Sequence, residues 1–227
     1  VNVELDTSKD AWSTAAGNYA SRFAASTANA AYLAAGRIRK KLASIAGLAL
    51  AVAPENLNFK GGKIFSVLDP AKNLAFYRVA GMAHWSPGSL PEGTTPGLRE
   101  TVQWNPRELT PPTDNDEINT SLTYGFIFDF CAVEIDRITG EVRIDKYVTM
   151  HDGGRLLNPA LVESQVHGAL GQAFGATLYE NFAYGPDGNL LTGTFADYLL
   201  PTAMEIPPTQ LLHQETPSPF TPLGTKG

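Results

Sequence analysis

Helix-forming and strand-forming patterns mix along this 227-residue chain, which predicts an α+β protein with mixed sheets and packed helices. Three observations carry that expectation. Residues 26–52 form a long alanine-rich amphipathic stretch, residues 124–150 read as strand, turn and strand, and Asn158-Pro159 opens a well-punctuated helix.

Residues 1–25 are an extended, small-residue segment containing Gly17-Asn18-Tyr19-Ala20-Ser21-Arg22. Between Ser26 and Val52, Ala30, Leu33, Ala34, Ile38, Leu42 and Ile45 recur at helical spacing, while Arg37, Arg39, Lys40 and Lys41 fill the other side. Pro54 ends that helix. Leu57 to Val67 alternates around Gly61-Gly62, a turn between two short strands, and a second helix is expected over Phe76–His84. Residues 86–120, with Pro87, Pro96, Pro106, Pro111 and Pro112 among many polar residues, read as a long irregular excursion.

Tyr124–Ile135 is apolar on both faces, which predicts a central strand, and Glu141–Met150 alternates like a half-exposed one. After His151-Asp152-Gly153-Gly154-Arg155, Asn158 takes the N-cap and Pro159 the first turn of a helix running to Tyr179. Residues 183–200 suggest a small hairpin around Gly185-Pro186-Asp187-Gly188, and the proline-rich remainder is extended. The expected organisation is a segment over 1–85, a loop over 86–120 and a subdomain over 121–227.

Bulk properties exclude several functions. A net charge of -6 with no basic run argues against nucleic acid as main partner. A single cysteine, Cys131, excludes an internal disulfide or a thiolate cluster within the chain; its place in a buried-strand pattern makes it a packing residue. No apolar run reaches the roughly 20 residues of a membrane span. His84, His151, His167 and His213 show no metal-ligand spacing, and neither GxSxG nor GxGxxG occurs. Asp152, followed by two glycines, is expected to brace a loop.

Three segments suit a polar, anionic ligand. Gly168, Gly171 and Gly175 each cost the helix about 1 kcal/mol relative to alanine, which implies a close neighbour. Gln165, Gly168 and Gln172 share one face, offering two amides on a bare surface; tight helix packing is the alternative. Tyr19-Ala20-Ser21-Arg22 combines little bulk with two hydroxyls and a guanidinium, as phosphate sites do, or is an ordinary loop with Ser21 or Ser26 as a cap. Gly224-Thr225-Lys226-Gly227 could form a phosphate nest, although it matches no P-loop.

Taken in order, these segments resemble the C-terminal part of the molybdenum-cofactor subunit of the xanthine oxidase/aldehyde oxidase family of molybdenum hydroxylases. The resemblance rests on Gly17–Arg22, Glu134-Ile135-Asp136, Thr139–Val142 and Asp152–Pro159. It continues through Glu163–Ala169, Gln172–Gly175, Leu191-Thr192-Gly193, Thr216–Pro219 and Pro222–Gly227. It implies a molybdopterin dinucleotide, in its cytosine form, along Tyr19–Arg22, with Ala20 near the metal. Gln165 would bond the pterin, with Gly168 and Gln172 on the same face, and Leu223–Lys226 would touch the pterin or phosphate portion.

The implied reaction hydroxylates an aldehyde or N-heteroaromatic compound with oxygen from water. Implied partners are the remaining part of the molybdenum subunit, an iron–sulfur subunit with [2Fe-2S] clusters and a flavin subunit with FAD. The family pattern continues past Lys-Gly with Val-Gly-Glu, whose glutamate is the general base. No catalytic or metal-ligating residue is therefore expected within these 227 residues, and the chain alone should be inactive. A start at Val1 suggests a split, processed or truncated product, and Gly153 stands where the family commonly has cysteine or alanine. A cytoplasmic location is implied, or a periplasmic one if the chain is exported with a partner. A non-catalytic assembly subunit and a generic phosphate-ligand module are the competing functions.

Overall fold

The computed structural model describes residues 21, 23–104, 106, 108–119 and 121–226. Tyr19, Ala20 and Arg22 lie outside the described residues, so their expected role is not addressed by the fold. The chain divides into two compact units, Val1–Thr110 and Pro111–Gly227, with the division inside the proline-rich stretch.

In the first unit, α1 (Thr27–Leu50) is followed by an antiparallel meander of β1 (Leu57–Lys60), β2 (Lys63–Ser66) and β3 (Asn73–Ala75), then α2 (Phe76–Trp85). The helix stops before Pro54, where Ala51 turns left-handed and its N–H bonds the carbonyls of Gly47 and Leu48. The apolar stripe of α1 is most deeply buried in its C-terminal half. There Leu42, Ile45 and Ala46 pack with Leu57, Ile64, Val79 and Ala83 into the unit's core. Arg39 lies over the Phe59 ring at 4.3 Å and donates to Asn58 Oδ1 at 3.1 Å, so the basic face also secures β1. The third strand, β3, was not legible in the sequence, because three residues carry too little alternation.

The second unit contains β4 (Phe126–Ile135), β5 (Val142–Asp152), α3 (Pro159–Leu178) and β6 (Thr209–His213). β4 and β5 form the expected antiparallel hairpin, its turn held by Asp136, which accepts from the N–H groups of Ile138 and Thr139. β5 then pairs with β6 in parallel, Tyr147 opposite Thr209 through His151 opposite His213. A parallel pair needs a crossover, and α3 supplies it, giving a β5–α3–β6 unit. The caps of α3 follow the sequence: Asn158 Oδ1 accepts from Leu161 N–H at 3.3 Å, with Pro159 in the first turn.

Two expectations fail here. β4 is not central: the strand order is β4-β5-β6, and nine of its ten residues are exposed. Its two apolar faces specify cover, which no described strand or helix of the second unit provides. Cys131, on that strand, is consequently exposed and not a packing residue. Residues 183–200 narrow to one bridge between Tyr184 and Leu190, and the extended remainder contributes β6.

Burial separates the two apolar populations. Ile45→Ala or Ile64→Ala, each removing a side chain with 0% exposure, is expected to cost the first unit about 2–5 kcal/mol in denaturant unfolding. Phe128→Ser, at 67% exposure on β4, should shift the second unit's transition by no more than about 0.5 kcal/mol.

Candidate functional site

The ends of parallel strands in a β–α–β unit leave a crevice where loops and a helix N-terminus meet. In this chain that end gathers the loop after β5, the start of α3 and the segment after β6. The organising group is Asp152, the last residue of β5, which is 1% exposed.

Its carboxylate accepts from Gly154 N–H at 2.8 Å, Thr216 N–H at 3.2 Å and the Lys226 ammonium at 2.8 Å, and also from the Thr216 hydroxyl. Lys226 donates in addition to Thr216 Oγ1 at 2.6 Å and sits 5.4 Å from the Phe126 ring centroid. Burial pushes the Asp152 carboxyl upward. The Lys226 ammonium, the Thr216 hydroxyl and the two backbone donors outweigh it and hold the group well below the usual carboxylate range. The expected loop-bracing role of Asp152 is what the geometry provides.

The backbone of Leu223–Lys226 closes on the same loop. Arg155 N–H and Ser218 N–H both donate to Gly224 C=O, at 2.9 and 3.0 Å, and Lys226 N–H donates to Gly153 C=O at 2.9 Å. Gly224 N–H turns back to Thr221 C=O at 2.9 Å, and the Thr221 hydroxyl reaches Thr225 C=O at 2.9 Å. Gly154 and Gly224 both take left-handed backbones, with φ of 67° and 73°. A Cβ on Gly154 would fall 2.5 Å from Gly224 O, so the two strands of this clasp approach as only glycine permits. The charge and N–H groups that looked available to an anion are therefore spent inside the chain: Lys226 on Asp152, and the N–H groups of Gly224 and Lys226 on Thr221 and Gly153.

α3 lies antiparallel to β5 and β6. Phe174, near its end, meets Tyr147 edge-on at 5.4 Å, and Glu163, near its start, approaches His213. Leu170 and Phe174 are buried beneath it. Gln165, Gly168 and Gln172 lie on the other side, exposed, and neither amide has a hydrogen-bond partner among the described residues. The three glycines part company. Gly175 is pressed by Glu180 and by Pro201, whose Cδ would lie 2.8 Å from a Cβ; at Gly171 the neighbour is Ile206 at 3.7 Å; at Gly168, among the described residues, no atom outside its own stretch of helix lies within 4 Å of such a Cβ. Helix packing thus explains Gly175, while Gly168 leaves an open strip between two free amides. Ser21 is exposed, with φ 52°.

His151 and His213 were passed over by sequence reasoning, which searched for metal-ligand spacing. They stand side by side through the parallel register, a pairing that separation along the chain conceals.

Removing the ammonium from Asp152 leaves an unpaired buried charge. Lys226→Met should destabilise the second unit by about 3–5 kcal/mol at neutral pH. The carboxyl is depressed in the folded state, so its contribution is complete above its unfolded value, near 3.8, and is lost as pH falls below that. Acid titrations followed by tryptophan-independent far-UV CD should show a shallower acid limb in Asp152→Asn.

Comparison with known proteins places this geometry. The family described as molybdopterin cofactor-binding domain matches residues 1–207. The chain is 33% identical over 229 residues to the nicotine 6-hydroxylase large subunit of Paenarthrobacter nicotinovorans, covering 100% of the chain and 26% of that protein. It is 32% identical over 211 residues to the carbon monoxide dehydrogenase large chain of Hydrogenophaga pseudoflava, covering 93% and 24%. The crystal structure of quinoline 2-oxidoreductase from Pseudomonas putida 86 superimposes with a TM-score of 0.78 at 32% identity, over 92% of this chain and 25% of that one. The chain thus spans about a quarter of the length of these relatives. It belongs to the molybdopterin cofactor-binding domain family, within the xanthine oxidase group of molybdenum hydroxylases.

Proposed function

We propose that this chain holds one side of a molybdopterin dinucleotide, in its cytosine form, within a molybdenum hydroxylase. The observation that carries the reading is the open strip at Gly168 flanked by the unpartnered amides of Gln165 and Gln172. A fused polar ring presents donors and acceptors along its edge, which amides can answer in either sense. The absence of a side chain at Gly168 lets such a ring lie against the helix. Tyr19, Ala20, Ser21 and Arg22 would contribute hydroxyls and a guanidinium to the phosphates. Leu223, Gly224, Thr225 and Lys226 would shape the wall, their fold secured by Asp152 and not by the ligand.

When bound, the cofactor supplies the two-electron oxidation that lets a carbon atom take up oxygen from water. The work of this chain is to orient it: amides on one face of a helix would answer the ring, and the clasp at Asp152 fixes the neighbouring loop. The whole protein would hydroxylate an aldehyde or an N-heteroaromatic substrate and pass electrons to [2Fe-2S] clusters and FAD on partner chains. The exposed apolar faces of β4 support a large further polypeptide region as an immediate neighbour, since patches of this kind mark interfaces.

Elemental analysis of the purified complex should find molybdenum stoichiometric with this chain; an active complex without molybdenum would defeat the reading. Gln165→Ala, on an exposed face, should lower molybdenum and pterin content by about tenfold with an unchanged circular dichroism spectrum, the loss expected for hydrogen bonds to a charged ligand.

A further inference from the structure

The parallel register sets His151 and His213 side by side, their rings edge-to-face with centroids 6.5 Å apart. Both belong to the face of β5 and β6 on which α3 rests, the face that also carries Tyr147 and buried Thr149. Three of the four ring nitrogens, His151 Nδ1 and both of His213, are shielded from solvent and have no hydrogen-bond partner among the described residues. Such orphaned atoms carry an unmet cost unless something answers them. One group is poised to do so: Glu163 Oε1, in the second turn of α3, lies 3.8 Å from His213 Nε2. That is within ion-pair range and too long for a hydrogen bond.

We propose that His213 and Glu163 form a proton-linked latch seating the first turns of α3 on the ends of β5 and β6, with His151 confining the pair to a single proton. The latch does not rest on the cofactor reading above. A proton on His213 converts the 3.8 Å approach into a charge-assisted contact and draws Glu163 inward. Two protons on adjacent, shielded imidazoles would repel. Burial, and then the neighbouring His213, hold His151 below the ordinary imidazole range, against a weaker pull upward from Asp152. His151 is thus the member kept neutral.

Among the described residues, the neighbouring charges are committed elsewhere or exposed. On β5, Asp152 is committed to Lys226 and Thr216. On β4, Ile127 stands opposite His151, and Asp129, the acid of that strand nearest this face, interacts with Tyr147. On α3, His167 follows Glu163 by one turn and is exposed. In the loops, Glu215 accepts from Leu156 N–H, and Lys226 serves Asp152. Gly153 completes the arrangement, because a Cβ there would sit 2.9 Å from His151 Cε1; a residue with a side chain would displace the ring.

Amide hydrogen exchange across α3, measured on the full chain and corrected for intrinsic chemical rates, tests this. Going from about pH 8 to about pH 5.5, the amides of residues 161–166 should gain about two- to fivefold protection, the size of a partly exposed ion pair. Glu163→Gln and His213→Asn should each abolish that pH dependence, and the double variant should match either single one. Glu163 is 51% exposed at its side chain, so Glu163→Gln leaves the fold intact and decides the matter even if His213→Asn does not fold. A wild-type chain with no pH dependence, or a dependence that survives Glu163→Gln, overturns the latch. Molybdenum content is a separate readout, so failure of the latch and failure of the cofactor reading are distinguishable.

Discussion

The second unit depends on one buried carboxylate. Asp152 lies 64 residues from Thr216 and 74 from Lys226, and its bonds to both bring the terminal segment back onto the end of β5. Closing loops of that length costs chain entropy that grows only slowly with length, so a few strong contacts suffice. Burying a carboxylate alone would cost several kcal/mol; here two backbone N–H groups, a hydroxyl and an ammonium answer it. The same contacts explain why Lys226 cannot be read as a free cation. A lysine beside glycine invites an anion-binding reading, yet the nearest anion is supplied by the chain.

This constraint also sets the shape of the clasp. With Asp152 fixing Gly154 N–H, the carbonyls of Gly153 and Gly224 fall where Lys226, Arg155 and Ser218 can reach them. The approach leaves no room for Cβ at Gly154 and demands left-handed backbone at both Gly154 and Gly224. Glycines that looked suited to cradle a phosphate are therefore used to let two backbones meet.

Local signals were legible in the sequence, and long-range partners were not. The stripe of α1, the Asn158-Pro159 start of α3 and the β4–β5 hairpin depend on neighbours a few residues away, and each appears close to its expected bounds. β6 depends on β5 across the whole of α3, and five residues after a proline-rich stretch do not announce a strand. The place of β4 fails for a related reason. Two apolar faces state that a strand needs cover, but not who provides it. Of the site, the face shared by Gln165, Gly168 and Gln172 follows from helical spacing alone and is open as expected. The partner of Lys226 and the pairing of His151 with His213 required the fold.

The two faces of α3 make one element serve two ends. Residues four apart stay on one side, so Val162, Val166, Leu170 and Phe174 follow the sheet while Gln165, Gly168 and Gln172 look away. Glu163 and Gln165, two residues apart, point in nearly opposite directions. A helix is stiff over a turn, so a tilt that draws Glu163 toward His213 must carry Gln165 with it. The sheet-facing side is fixed at the far end by Phe174 against Tyr147, while Pro201 closes on Gly175 from the side that Gly168 shares. At the near end Glu163 approaches His213, whose ring nitrogens have no hydrogen-bond partner among the described residues. Movement of the helix is expected where its contacts are least satisfied, which is at the turn presenting Gln165 and not at the one presenting Gln172 beside Phe174.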